Sequence, residues 1–248
     1  MASSSQIIAE ADALWKQGKL QESLDVCLSG FQGAEPGSDE EKQIDPQLIF
    51  RAARAYYLLG EEEEKQTKTN QAQYEEGWRL AQLAMQLAPK DSDVVAWNGV
   101  CLGGAVKFMP AKQQIAEAYT IRNRFKEAFE LDPTNGNALQ CYGAWCYEIT
   151  QIGWLSRQAA TVLFGAPPTS SLDDAEKYLL EARKYSDKTT ELWIEGYLGM
   201  VYHKMDKNEE ALKALDAALA VPALTQQQQR YKAKLSEKRS KCEKKLAS

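Results

Sequence analysis

Apolar and small residues recur at spacings of three and four along most of the chain, and the clearest instance is Leu198 to Ala218, LGMVYHKMDKNEEALKALDAA. Gly199 and Tyr202 precede a polar turn at Asp206 to Asn208, after which Ala211, Leu215 and Ala218 continue on one helical face. The segment is predicted to be a helical hairpin. Gly199 and Ala211 let two backbones approach, and Tyr202 and Leu215 fill the space beside them.

With this hairpin as a template, the pattern resembles the helix–turn–helix tetratricopeptide repeat of about 34 residues. Ala11, Leu14, Gly18, Ser23, Cys27 and Gly30 repeat it near the N-terminus, giving a first hairpin over residues 5–32. An acidic linker, GAEPGSDEEKQIDP, leads to a second: Ile49, Ala52, Ala53, Tyr56 and Gly60, then Gly77, Ala81, Ala84 and Pro89, with a lengthened turn around EEEEKQTKTNQA. A third combines Trp97, Val100 and Cys101 with Ile121, Phe125, Ala128 and Pro133, and carries extra residues around KFMPAKQQ. A fourth joins Leu139, Tyr142, Gly143 and Cys146 to Ala175, Leu179 and Ala182 across the longest insertion. The template is the fifth. Ala88-Pro89 and Asp132-Pro133 end their helices, because proline disfavours helical geometry in the residue before it. TVLFG at 161–165 is the only strand-like run and is too isolated to pair. The expected fold class is all-α: a tetratricopeptide-like helical-hairpin solenoid over residues 1–222, with long insertions, closed by a capping helix over 223–248.

The capping segment, LTQQQQRYKAKLSEKRSKCEKKLAS, places Leu224, Tyr231, Leu235, Cys242 and Leu246 on one stripe facing the array. Its other faces carry Arg230, Lys232, Lys234, Lys238, Arg239, Lys241, Lys244 and Lys245 against Glu237 and Glu243. These eight cations and two anions leave +6 on the helix; with −5 overall, the remainder holds −11. That asymmetry suits an acidic partner surface and equally the soluble outer face a solenoid cap needs.

The chain has 248 residues, 44% of them hydrophobic, enough for a substantial core. Its five cysteines are scattered and never spaced Cys-x-x-Cys, so they read as small buried hydrophobes in a reducing compartment. With no run of eighteen apolar residues and no signal-type leader, a soluble intracellular protein without a transmembrane segment is expected.

The sequence contains none of the phosphate-cradle or nucleophile-elbow motifs, and its only histidine, His203, has no ligand partner at metal-binding spacing. No catalysis, metal or cofactor is expected, and nucleic acid is not expected as a partner. Binding is the default. The first helices would line a groove at Phe50, Arg54, Tyr57, Asn98, Leu102, Ala105, Gln140, Ala144, Tyr147, Met200 and His203. Only Arg54 and His203 there can be cationic, too few donors to clamp a terminal carboxylate. The groove would suit a partner helix, a phospholipid tail, or the chain's own insertions, the last slightly favoured.

The longest insertion, Gly143 to Ala175, extends the fourth hairpin's first helix through Trp145, Ile149, Ile152 and Leu155. A second apolar stretch follows at Ala159, Ala160, Leu163 and Phe164, ended by Gly165, Pro167 and Pro168. Ser170 or Ser171 caps the next helix. Several features are similar to the regulator of microtubule dynamics proteins: Gly143-x-Trp145-Cys146-Tyr147, Trp154-Leu155, the Ala159 to Pro168 run, Phe125-Lys126-Glu127 with Leu131-Asp132-Pro133, and Arg51 to Tyr56. The resemblance covers residues 45–222. It implies a helical domain that associates with microtubules and spindle poles and contributes to chromosome segregation, with cytoplasmic, cytoskeletal and spindle localisation. Some relatives are tethered to organelles by an N-terminal span, which this sequence lacks, and one binds phospholipid.

Two functions follow. In the first, Arg230 to Lys245, with Arg122, Arg124 and Lys126, meets the acidic surface of tubulin. In the second, the groove binds or transfers phospholipid. A general protein-interaction scaffold is the broader alternative.

Overall fold

In a computed structural model, which describes residues 3–31 and 33–247, every regular element among the described residues is helical. Side chains that cap the helix starts are hydroxyls, amides and carboxylates. Ser3 and Thr67 form capping boxes with Gln6 and Asn70, and Asp45, Asp91, Asn135, Ser171 and Thr225 each accept a backbone N–H of a first helical turn.

The chain divides into two compact units, one up to Met109 and one from Pro110. The first holds α1 (Ser4–Lys16), α2 (Leu20–Ser29), α3 (Pro46–Glu62), α4 (Lys68–Leu87) and α5 (Ser92–Ala105). Here α3 packs on α4 and α5, while α1 and α2 pack on each other and on α3. Ala11, Cys27, Ala52, Ala53 and Ala84 are wholly buried, so small residues bring these helices close. The linker before α3 is fastened rather than loose. Glu41, 2% exposed, accepts from both terminal nitrogens of Arg79 and from the Gly37 N–H. Losing one partner of such a pair leaves a buried charge without compensation.

The second unit holds α6 (Ala111–Leu131), α7 (Gly136–Thr150), α8 (Trp154–Phe164), α9 (Leu172–Arg183), α10 (Glu191–Lys204), α11 (Asn208–Ala220) and α12 (Gln226–Leu246). The hairpins α7/α9 and α10/α11 repeat one contact. A Cβ on Gly143 would lie 2.7 Å from Leu179 Cγ, and one on Gly199 would lie 2.5 Å from Leu215 Cγ. The turns repeat too: Gly18 between α1 and α2 has φ +76°, and Asp206 between α10 and α11 has φ +58°. That left-handed geometry is free to glycine and tolerable to aspartate. The residues that follow, Lys19 and Lys207, share ψ of 69°.

Four details depart from the sequence expectation. Helices α5 and α6, expected as one hairpin, fall in different units, because Ile121, Phe125 and Ala128 of α6 are buried within the unit where α6 packs on α7. Most of the extra residues near KFMPAKQQ are helical, extending α6 back to Ala111. Helix α7 stops at Thr150, so Leu155 belongs to α8, and the TVLFG run is helical through Phe164. Of the predicted stripe, Leu235 and Cys242 of α12 are fully buried, whereas Leu246 and Leu224, which precedes the helix, are exposed.

Candidate functional site

Helix α12 is anchored along one side. Leu235 and Cys242 bury against the unit, and Tyr231 stacks with Trp193 at 4.7 Å and Tyr197 at 5.9 Å. A Cβ on Gly196 would lie 2.6 Å from the Tyr231 hydroxyl, so this glycine makes room for the ring. On the flank toward α11, Lys232 donates to the Val221 carbonyl at 2.6 Å, and Arg239 pairs with Asp216 and Glu243. Lys245 pairs with Asp206 in the α10/α11 turn. These contacts use up part of the basic surface in docking the helix.

What remains is narrower than the eight cations counted along the sequence. Lys234, Lys241 and Lys244 are exposed and Lys238 is half-buried, and no side-chain bond engages these four among the described residues. Lys234, Lys238 and Lys241 share one stripe by their spacing of four and three, which also carries Arg230. Arg122, Arg124 and Lys126 lie on α6. There Arg124 pairs with Glu127 at 2.8 Å, Arg122 stacks on Tyr119, and Lys126 lies over Tyr142.

The residues expected to line a groove are placed differently. Phe50 and Leu102 are 2% exposed, Asn98, Ala105, Gln140, Ala144, Tyr147 and Met200 are also buried, and only Tyr57 and His203 are half-buried. These side chains are core of their own units rather than the walls of an open groove, because neighbouring helices close over the first-helix faces. Arg54 is the clearest case. Its guanidinium donates to Asp12 at 2.6 Å and stacks on Trp15 at 3.8 Å, and Arg51 donates to the same carboxylate at 2.9 Å. Burial pushes the Asp12 carboxyl up, and Arg54 with Arg51 outweighs it to hold the group below its ordinary range. The cation is therefore spent inside the fold.

His203 Nδ1 lies 3.2 Å from Cys242 Sγ. Among the described residues no group of three His, Cys, Asp or Glu side chains could hold a metal ion, and no helix is long and apolar enough to cross a membrane.

An open apolar cleft of about 350 Å³ occupies a different place, between α6, the end of α7, and α8. Ile115 and Ala118, Ile149 and Ile152, and Ala160, Leu163 and Phe164 line it. Arg157 holds α8 there by donating to the carbonyls of Pro168 at 2.8 Å, Ile149 at 3.1 Å and Pro167 at 3.3 Å. The apolar run from Ala159 to Phe164 signals this cleft in the sequence. The opposing wall, the first turns of α6, carries too many polar residues to stand out.

The family model for regulator of microtubule dynamics protein 1-3 matches residues 7–243. Regulator of microtubule dynamics protein 1 of Mus musculus is 27% identical over 90% of this chain and 69% of its own length. Regulator of microtubule dynamics protein 3 of Rattus norvegicus is 25% identical over 87% of this chain and 48% of its own length, so this chain spans about half of that relative. A thermophilic TPR protein from Thermus thermophilus superposes with a TM-score of 0.65 at 13% identity, covering 95% of this chain and 98% of that one. At that identity the likeness establishes the tetratricopeptide-like fold and nothing about binding.

Proposed function

The chain belongs to the regulator of microtubule dynamics protein 1-3 family, and we propose from that premise that it is a non-catalytic microtubule-associated protein acting in the cytoplasm, at the cytoskeleton, spindle and spindle poles, in support of chromosome segregation. The observation carrying the contact surface is the lysine set on α12, Lys234, Lys238, Lys241 and Lys244, which makes no side-chain hydrogen bond or ion pair among the described residues. Such solvent-exposed pairs contribute at most about 1 kcal/mol each and are screened by salt, so several must act together. The expected partner is the acidic surface of tubulin.

The test is co-sedimentation with stabilised microtubules across a salt series, with and without the acidic tubulin tails. Binding should weaken with salt, with tail removal, and on reversing the four lysines to glutamate, while helical content stays unchanged. A protein that remains in the supernatant at low salt overturns the reading.

A second reading, phospholipid binding, draws on the apolar cleft between α6 and α8 rather than on the buried first-helix positions. Retention of phospholipid in native mass spectrometry, lost on filling the cleft with Ala160→Trp, is its expected signature.

A further inference from the structure

The cleft between α6, the end of α7 and α8 has a cation at its rim. Its wall holds no ionisable side chain, and its polar side chains are those of Gln114 and Ser156. Arg157, half-buried on α8, donates to the carbonyls of Ile149, Pro167 and Pro168, and all three of those residues line the cleft. Arg51, Arg54, Arg79, Arg124, Arg183 and Arg239 each pair with a carboxylate. Arg157 makes no such pair among the described residues, so a guanidinium without a counter-ion stands beside an apolar hollow. Its Nη1 serves Pro167 and Pro168, and its Nη2 serves Ile149. Of the donors a guanidinium carries, Nε–H and one on Nη2 are left. Arg79 holds Glu76, and Arg183 holds Glu195, through this same pair of nitrogens, with one carboxylate oxygen on each.

We propose that the cleft binds a long-chain carboxylate, a fatty acid, with its alkyl chain between α6 and α8 and its head on Nε and Nη2 of Arg157. The proposal rests on the cleft of the second reading above and replaces its phospholipid with a narrower ligand. Size argues for one chain. A methylene takes up about as much volume as a water molecule in the liquid, about 30 Å³, so about 350 Å³ accommodates one chain of about a dozen carbons and not the two chains of a diacyl lipid. Charge argues for the head. The apolar walls hold any alkyl chain alike, and the few polar groups of such a site set orientation and specificity. A carboxylate supplies the counter-ion that Arg157 lacks, in a charge-assisted pair of bonds. A cationic head on the same chain would meet a like charge instead.

Calorimetric titration of the full chain with dodecanoate and with dodecyltrimethylammonium, both below their micelle concentrations, tests this. The two ligands share a chain and differ in head charge. Dodecanoate should bind at least about tenfold tighter. Ala160→Trp, which fills the cleft, should abolish its binding. In Arg157→Gln the ratio between the two affinities should fall to near one. That ratio reads the charge alone, because a cleft loosened by losing the three carbonyl bonds would weaken both ligands together. Dodecanoate binding no tighter than the ammonium, dodecanoate binding unchanged in Ala160→Trp, or a head preference kept in Arg157→Gln overturns the proposal. Didodecanoyl phosphatidylcholine, followed by native mass spectrometry, separates this site from the second reading. Its retention by a chain without head-dependent dodecanoate binding overturns the fatty-acid site and leaves that reading standing, whereas dodecanoate bound and phosphatidylcholine not retained supports the fatty-acid site and removes that reading.

Discussion

The Cys242 thiol and Nδ1 of His203 meet at 3.2 Å, joining α12's buried stripe to the last turn of α10. Burial pushes the thiol up from its ordinary range, so it stays protonated beside the imidazole. Burial first, and then Lys245, Lys238 and Lys204 against Asp206, hold His203 below its ordinary 6.5. The unfolded chain therefore takes up this proton at higher pH than the folded one, and stability rises with pH through the window. The stabilisation is complete above about 6.5 and declines as pH falls below it. Thermal unfolding followed against pH should show a steeper acid-side loss in the wild type than in His203→Gln. Equal slopes would remove His203 from the account.

Gly143 and Gly199 should each resist alanine. The added Cβ would press on Leu179 or Leu215 at 2.7 and 2.5 Å, and overpacking of this kind costs about 1–3 kcal/mol. A Cβ on Gly103 of α5 would meet nothing within 4 Å, so Gly103→Ala should gain up to about 1 kcal/mol from helix propensity. Urea denaturation of the three variants checks both signs.

Asp12→Ala should be among the most damaging polar substitutions in the first unit. It leaves the Arg54 guanidinium, 4% exposed, without its carboxylate, at a cost of about 3–5 kcal/mol. Asp12→Ala with Arg54→Met should recover part of that loss by removing the stranded charge. If the double variant is less stable than Asp12→Ala, the stack of Arg54 on Trp15 is worth more than the cost of its unpaired charge.

Arg157→Ala should release α8 without unfolding the unit. Three carbonyl acceptors lose their donor, while α8 contributes no buried residue whose loss would reach the core. Hydrogen exchange should accelerate across residues 154–164 with the global melting temperature nearly unchanged. Protection that stays at the wild-type level would mean that contacts with α6 alone hold the helix.

The period of the sequence was enough to determine the helices, most of their hairpin partners and their closest approaches, because these depend on residues within one repeat. Gly199 had to sit where α10 and α11 approach, Ala175 and Leu179 had to return to α7, and proline after Ala88 and Asp132 had to end α4 and α6. Charge count alone could not say which cations were available. Arg239 and Lys245 look the same in sequence as Lys241 and Lys244, yet the first two meet Asp216 and Asp206 from distant positions. Nor could periodicity distinguish a groove wall from a buried one: Phe50 and Leu102 keep the right phase, but their exposure depends on which helices cover them. The tertiary structure decided those matters, and it moved the open apolar surface to α8. There an apolar stretch of helical phase found no helix across from it to bury its outer face.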